Sequence, residues 1–124
     1  MNLVKVADPT RNQNHKIEYK ISGYDRQGFF ENLKKRYSDF YKLDEALNLT
    51  FCGLYLPILP SKKAMKNKDD NFIEERRHDL QVYLYNIIKH PYLRNSDEFT
   101  KFVKNTKDDE STGKLNNFQK LEIL

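Results

Sequence analysis

Residues 33–47 read LKKRYSDFYKLDEAL, and the period of the apolar side chains changes inside this stretch. Before Ser38 the chain alternates: Phe29, Leu33 and Tyr37 fall on one face at even spacing, the pattern of a half-buried strand. After Ser38, Phe40, Leu43 and Leu47 recur at helical spacing. Ser38 reads as the N-cap of that helix, and Asp39 suits its positive first turn. A strand therefore runs straight into a helix of about three turns.

Working back from this junction, His15 to Ser22 alternates with Ile17, Tyr19 and Ile21 on one face and Lys16, Glu18 and Lys20 on the other. GYDRQG, residues 23–28, supplies the turn into the next strand. Leu3, Val4 and Val6 form a first short strand that Asp8 and Pro9 are expected to end. Together these segments predict a three-stranded antiparallel sheet.

Forward of the junction, Gly53, Pro57 and Pro60 cannot continue a helix, and LYLPILPSKK (residues 54–63) reads as an extended, proline-stiffened segment. Its proline spacing fits a PxxP ligand, but Leu54, Tyr55, Leu56, Ile58 and Leu59 are expected to pack inward, which disfavours that use. A second helix begins near Phe72 and stops at Lys89, His90 and Pro91. Its apolar face holds Phe72, Ile73, Leu80, Tyr83, Leu84, Ile87 and Ile88. Arg76 falls inside that face, roughly 40° from its centre, and Arg77 nearer its edge. An arginine aimed at a core is costly unless something anionic meets it. Ser96 caps a last short helix carrying Phe99, Phe102 and Val103. The fold class is α+β, with the sheet packed against a helical subdomain in residues 1–104 and a polar, flexible tail in 105–124.

Composition narrows the function. The 124 residues carry 22 Lys and Arg against 18 Asp and Glu, a net charge of +4, with 38% hydrophobic residues. No apolar run approaches the ~20 residues of a spanning helix. The opening MNLVKVADPT lacks a secretory apolar region, so a cytoplasmic protein is expected. Cys52 is the sole cysteine, and His15, His78 and His90 are too scattered to suggest a metal site. Four glycines leave no phosphate-cradling loop. Asp69 with Asp70, and Glu74 with Glu75, are adjacent rather than facing pairs. We expect no catalytic set, no metal and no cofactor.

The charge is clustered. Lys34, Lys35 and Arg36 stand together, and Lys62, Lys63, Lys66 and Lys68 share residues 61–68 with no acid. Such clusters point to an anionic partner. Arg36 could fork onto a phosphate, with the Tyr37 ring beside it, although a solvated strand end explains the same residues. The lysine segment suits an anionic membrane surface. Nucleic acid is not expected, since no aromatic residue is interleaved there for base stacking.

Taken in order, KKRYSDF, LPILPSKK and DDNFIEERRHDLQVYLYNIIKHP closely resemble the phox-homology (PX) domain, particularly that of sorting nexins, over residues 3 to about 104. Pro60-Ser61-Lys62 stands where the family often has Pro-Pro-Lys. The resemblance implies a domain that binds phosphatidylinositol 3-phosphate on the cytosolic face of endosomal membranes, in vesicular trafficking. It implies that Arg36 grips the 3-phosphate, that Tyr37 stacks under the inositol ring, and that Lys62 meets the 1-phosphate, with Lys63 the alternative register. Arg76 would bond the 4- and 5-hydroxyls, with Arg77 the alternative that the helical wheel disfavours. Lys63, Ala64, Met65, Lys66 and Lys68 would form the membrane-contact loop. Trafficking-complex proteins are possible partners. The other reading is a PX-type interaction scaffold with weak or different phosphoinositide selectivity.

Overall fold

Three strands, β1 (Val4–Arg11), β2 (Ile17–Asp25) and β3 (Gly28–Arg36), form one antiparallel sheet in the order β1-β2-β3. Among the described residues four helices follow: α1 (Tyr37–Thr50), α2 (Asp70–Lys89), α3 (Pro91–Arg94) and α4 (Asp97–Lys104). The computed structural model describes residues 3–61 and 70–104. The expectations for Lys62, Lys63, Ala64, Met65, Lys66, Lys68 and the tail 105–124 lie outside the described residues.

β1 does not stop at Asp8 and Pro9. The ladder to β2 shifts register between Ala7 and Thr10, and Asp8 takes φ 50°. That irregularity, on an edge strand, lets the chain carry a proline and resume pairing. α2 covers the same edge: the Val6 N–H donates to Gln81 Oε1 at 3.0 Å, and the Val6 carbonyl accepts from Arg77 Nη1 at 2.8 Å. Both main-chain groups are thereby satisfied by side chains.

β2 continues past Gly23, expected to open a turn. A side chain at Gly23 would place its Cβ 3.0 Å from the Leu3 carbonyl and 3.2 Å from Ile88 Cδ1, so the glycine lets the sheet approach α2. In β3, Ile21 faces Leu33 but Gly23 faces Phe30, so one extra residue is accommodated, with Asn32 at φ 62°. This bulge reverses the facing of the strand's first half. Leu33 and Tyr37 are buried as expected, whereas Phe29 is 59% exposed, its ring 5.4 Å from that of Tyr24. Phe30 takes the inward place.

α1 begins one residue before the expected cap. Arg36 is the N-cap, and Asp39 accepts the Arg36 N–H at 2.9 Å, leaving Ser38 inside the first turn. Tyr37, Phe40, Leu43 and Leu47 face the core. α2 buries Leu80, Tyr83, Leu84, Ile87 and Ile88, while Phe72 and Ile73 are half-buried. Pro91 ends α2 and also starts α3, where its missing N–H is harmless. Ser96 caps α4 as read, its Oγ accepting the Phe99 N–H at 3.1 Å.

Between α1 and α2 the proline segment packs with a period of three. Leu56 and Leu59 rest against the core, but Tyr55 is 92% and Ile58 83% exposed. The expectation that all five apolar residues pack inward is therefore corrected. The spacing of three, which a polyproline-type ribbon would give, sends the Leu56 and Leu59 row inward and the Tyr55 and Ile58 row to solvent.

Candidate functional site

Arg76 sits on the inward side of α2 at 5% exposure. Its guanidinium carbon is 4.1 Å from the centroid of the Tyr37 ring and 5.1 Å from that of Phe72. Stacking on aromatic faces offsets part of the cost of burying the charge. Nη2 donates to the Ser61 carbonyl at 2.6 Å. Nε and Nη1, by contrast, are buried and have no hydrogen-bond partner among the described residues. Arg76 forms no ion pair with a described carboxylate either. Unpartnered buried donors on a full positive charge are destabilising in the free protein, and an anionic or hydroxyl-bearing ligand would relieve them.

Tyr37 is the first residue of α1, directly after Arg36 at the end of β3. It too is buried, at 5% exposure, and its hydroxyl donates to the Pro60 carbonyl at 2.5 Å. Burial raises the hydroxyl pKa above its ordinary value, with the nearby Arg76 charge pulling the other way, so it stays protonated as a donor. Arg36 is half-buried and pairs with no carboxylate among the described residues. The β3–α1 junction, the end of the proline segment and the first turns of α2 thus meet at Arg76 and Tyr37, with Arg36 next to Tyr37 in the chain.

Two further basic residues, Lys35 and Arg77, are engaged elsewhere. Lys35 is 3% exposed, with Nζ 5.0 Å from the Phe102 ring centroid. Strand alternation sends it to the core face, away from Lys34 and Arg36, so these three do not form one patch. Arg77 is fully engaged on the β1 side. Its guanidinium grips Glu74 in a fork, with contacts of 2.6 and 2.9 Å, and also reaches the Val6 carbonyl. Lys62, expected at the site, lies outside the described residues, although its peptide partner Ser61 is held by Arg76. The carbonyls of Pro60 and Ser61 were not foreseen as site groups. No side-chain pattern signals a main-chain acceptor, and only the strength of the proline segment hinted that its end is fixed.

Among the described residues no helix is long and apolar enough to cross a membrane, and no cluster of three potential metal ligands occurs.

Comparison with known proteins gives a consistent result. The family described as PX domain matches residues 26–106. The chain is similar to "Vacuolar protein sorting-associated protein vps5" of Schizosaccharomyces pombe, 38% identical over 72 residues, 58% of this chain and 12% of that protein. It is also similar to "Sorting nexin 1" of Arabidopsis thaliana, 30% identical over 130 residues, 98% of this chain and 32% of that protein. A third relative is the "PX domain-containing protein kinase-like protein" of Mus musculus, 45% identical over 69 residues, 56% of this chain and 11% of that protein. The chain thus spans a third or less of each of these relatives. Among solved structures, the "X-ray structure of a designed CISK-PX domain" aligns with a TM-score of 0.70 at 28% identity, covering 82% of this chain and 97% of that one.

Proposed function

The chain belongs to the PX domain family, and on that premise we propose that it is a non-enzymatic membrane-targeting module that reads phosphatidylinositol 3-phosphate. The observation that carries the reading is Arg76, buried on the Tyr37 ring with two N–H donors unpartnered among the described residues. A phosphorylated inositol offers hydroxyl and phosphate oxygens to such donors. Arg36 binds the 3-phosphate, Arg76 the 4- and 5-hydroxyls and Lys62 the 1-phosphate, with Tyr37 in the wall of the pocket. Arg77 is set aside by its engagement with Glu74 and Val6.

Lys63, Ala64, Met65, Lys66 and Lys68 contact the anionic surface, where each lysine contributes about 1 kcal/mol. Head-group recognition and basic attraction are two signals, the usual requirement for stable attachment. Similarity to proteins named for vacuolar sorting and as sorting nexins supports a place on the cytosolic face of endosomal membranes, with trafficking-complex proteins as partners.

Co-sedimentation with vesicles across the phosphoinositide series, with RNA as competitor, tests the proposal. Selective retention on phosphatidylinositol 3-phosphate vesicles is expected. Equal binding to every anionic vesicle would sink the head-group selectivity, and displacement from all vesicles by RNA, with RNA retained on the protein, would make the charge a nucleic-acid site.

A further inference from the structure

We infer that Phe72 is a specificity-determining residue of this site: it fixes the plane of the Arg76 guanidinium, and so the choice between a hydroxyl and a phosphate at positions 4 and 5 of the inositol. The inference deepens the head-group reading and rests on it.

Phe72 falls on the apolar face of α2 by its spacing, yet the core makes no use of it. It is half-buried in the first turn and, unlike Leu56, Leu59 and Tyr85, is not among the partly buried hydrophobic residues packed against the core. The Arg76 guanidinium carbon lies over its ring instead, 5.1 Å from the centroid. Helix geometry accounts for the contact. Residues four apart stand one above the other, and a long helical side chain leans back toward the N-terminus, which lays Arg76 over the turn that holds Phe72.

A guanidinium held by one hydrogen bond can still swing. Nη2 is fixed on the Ser61 carbonyl at 2.6 Å, and rotation about that bond would sweep Nε and Nη1, the two buried donors without a partner among the described residues. Two rings oppose this motion, Tyr37 at 4.1 Å and Phe72 at 5.1 Å, because a planar cation loses attraction when it tilts or slides off an aromatic face. The free donors therefore keep one direction. Fixed donors discriminate: a hydroxyl fits against an N–H that does not move, whereas a phosphate at the same position needs more room and more donors. A guanidinium free to swing would make that room, and its charge would favour the added phosphate. Phe72 is thus a positioning residue that acts through Arg76.

Phe72→Leu keeps an apolar side chain and removes the ring. Binding to phosphatidylinositol 3-phosphate vesicles should weaken roughly three- to tenfold, the scale of one desolvated cation–π contact. Binding to vesicles carrying the 3,4- or 3,5-bisphosphate should weaken less or rise, so the preference for the monophosphate falls. An equal loss on all these vesicles would overturn the inference, as would unchanged binding. A second readout needs no lipid: the Arg76 Nε–H signal in a proton–nitrogen NMR spectrum, assigned by its loss in Arg76→Lys. In the wild-type protein ring currents should shift it upfield and burial should slow its exchange; in Phe72→Leu it should move toward the position of free arginine and exchange faster. An unmoved signal would overturn the inference, and so would a spectrum showing that Phe72→Leu is unfolded, since Phe72 would then be a core residue. If the wild-type protein itself shows no preference for phosphatidylinositol 3-phosphate, the head-group reading fails, and the lipid-free spectrum alone decides whether Phe72 fixes Arg76.

Discussion

Arg76 and Arg77 are neighbours on α2, yet Arg76 stacks on Tyr37 while Arg77 reaches the Val6 carbonyl at 2.8 Å and grips Glu74. One step of about 100° around a helix separates an arginine with two unpartnered buried donors among the described residues from one bonded throughout to the protein. The pair makes a sharp test. Arg76→Ala should abolish selective vesicle binding. Arg77→Ala should leave selectivity intact and lower stability by about 1–2 kcal/mol, because the Val6 carbonyl loses its partner. Denaturant unfolding and vesicle co-sedimentation on both variants check this; the opposite division would exchange the two assignments. The hydrogen bonds from Arg77, helped by its charge, hold Glu74 below its ordinary pKa. Their contribution is therefore present above the ordinary glutamate pKa and is lost as pH falls through the lower folded value. Arg77→Ala should remove that acid dependence.

Arg36→Ala tests the proposed phosphate contact. The residue is half-buried and carries no ion pair among the described residues, and its backbone N–H, not its side chain, holds Asp39. Truncation should leave folding nearly unchanged and reduce binding to phosphatidylinositol 3-phosphate vesicles at least tenfold, the scale of a charge-assisted contact. Retained selectivity would place the 3-phosphate elsewhere.

Lys66→Ala with Lys68→Ala should weaken binding to all anionic vesicles by roughly 2 kcal/mol together, without changing the order of preference among phosphoinositides. The salt dependence should become shallower, since the removed charges act over a Debye length. A changed preference order would assign these lysines to head-group selection and not to the surface.

Much of this arrangement was readable in the sequence, for physical reasons that differ from part to part. The Ser38 period change marked the strand-to-helix junction because burial imposes a period of two on one element and 3.6 on the next. Arg76 stood out because a charge on an apolar face needs a partner. Phe29 was misplaced because a bulge at Asn32 adds a residue without any hydrophobic signature. Lys35 was grouped with Arg36 because charge counting ignores strand alternation, which buries it against Phe102. Tyr55 and Ile58 are exposed because they share the one row of a segment of period three that is turned to solvent.

Tyr83 gives a stability prediction independent of ligand. Its ring is fully buried between the helices and its hydroxyl donates to Asp44 Oδ1 at 2.8 Å. Tyr83→Phe keeps the ring and removes that bond, which should cost about 1–1.5 kcal/mol and lower the Tm by roughly 4–8 °C. Burial first, and then the Asp44 charge, push the hydroxyl pKa well above its ordinary 10.0. A raised folded pKa means the stabilisation is complete below the unfolded value and falls away as pH rises past it, because only the unfolded chain then releases the proton readily. Tyr19 and Tyr37 shift in the same direction through burial. Stability should therefore decline above about pH 10, and Tyr83→Phe should make the decline shallower by deleting one of the three contributors. Chemical denaturation at a series of alkaline pH values measures that slope. An identical slope in the variant would mean that Tyr83 titrates alike in the folded and unfolded chains, which its burial and its bond to Asp44 oppose.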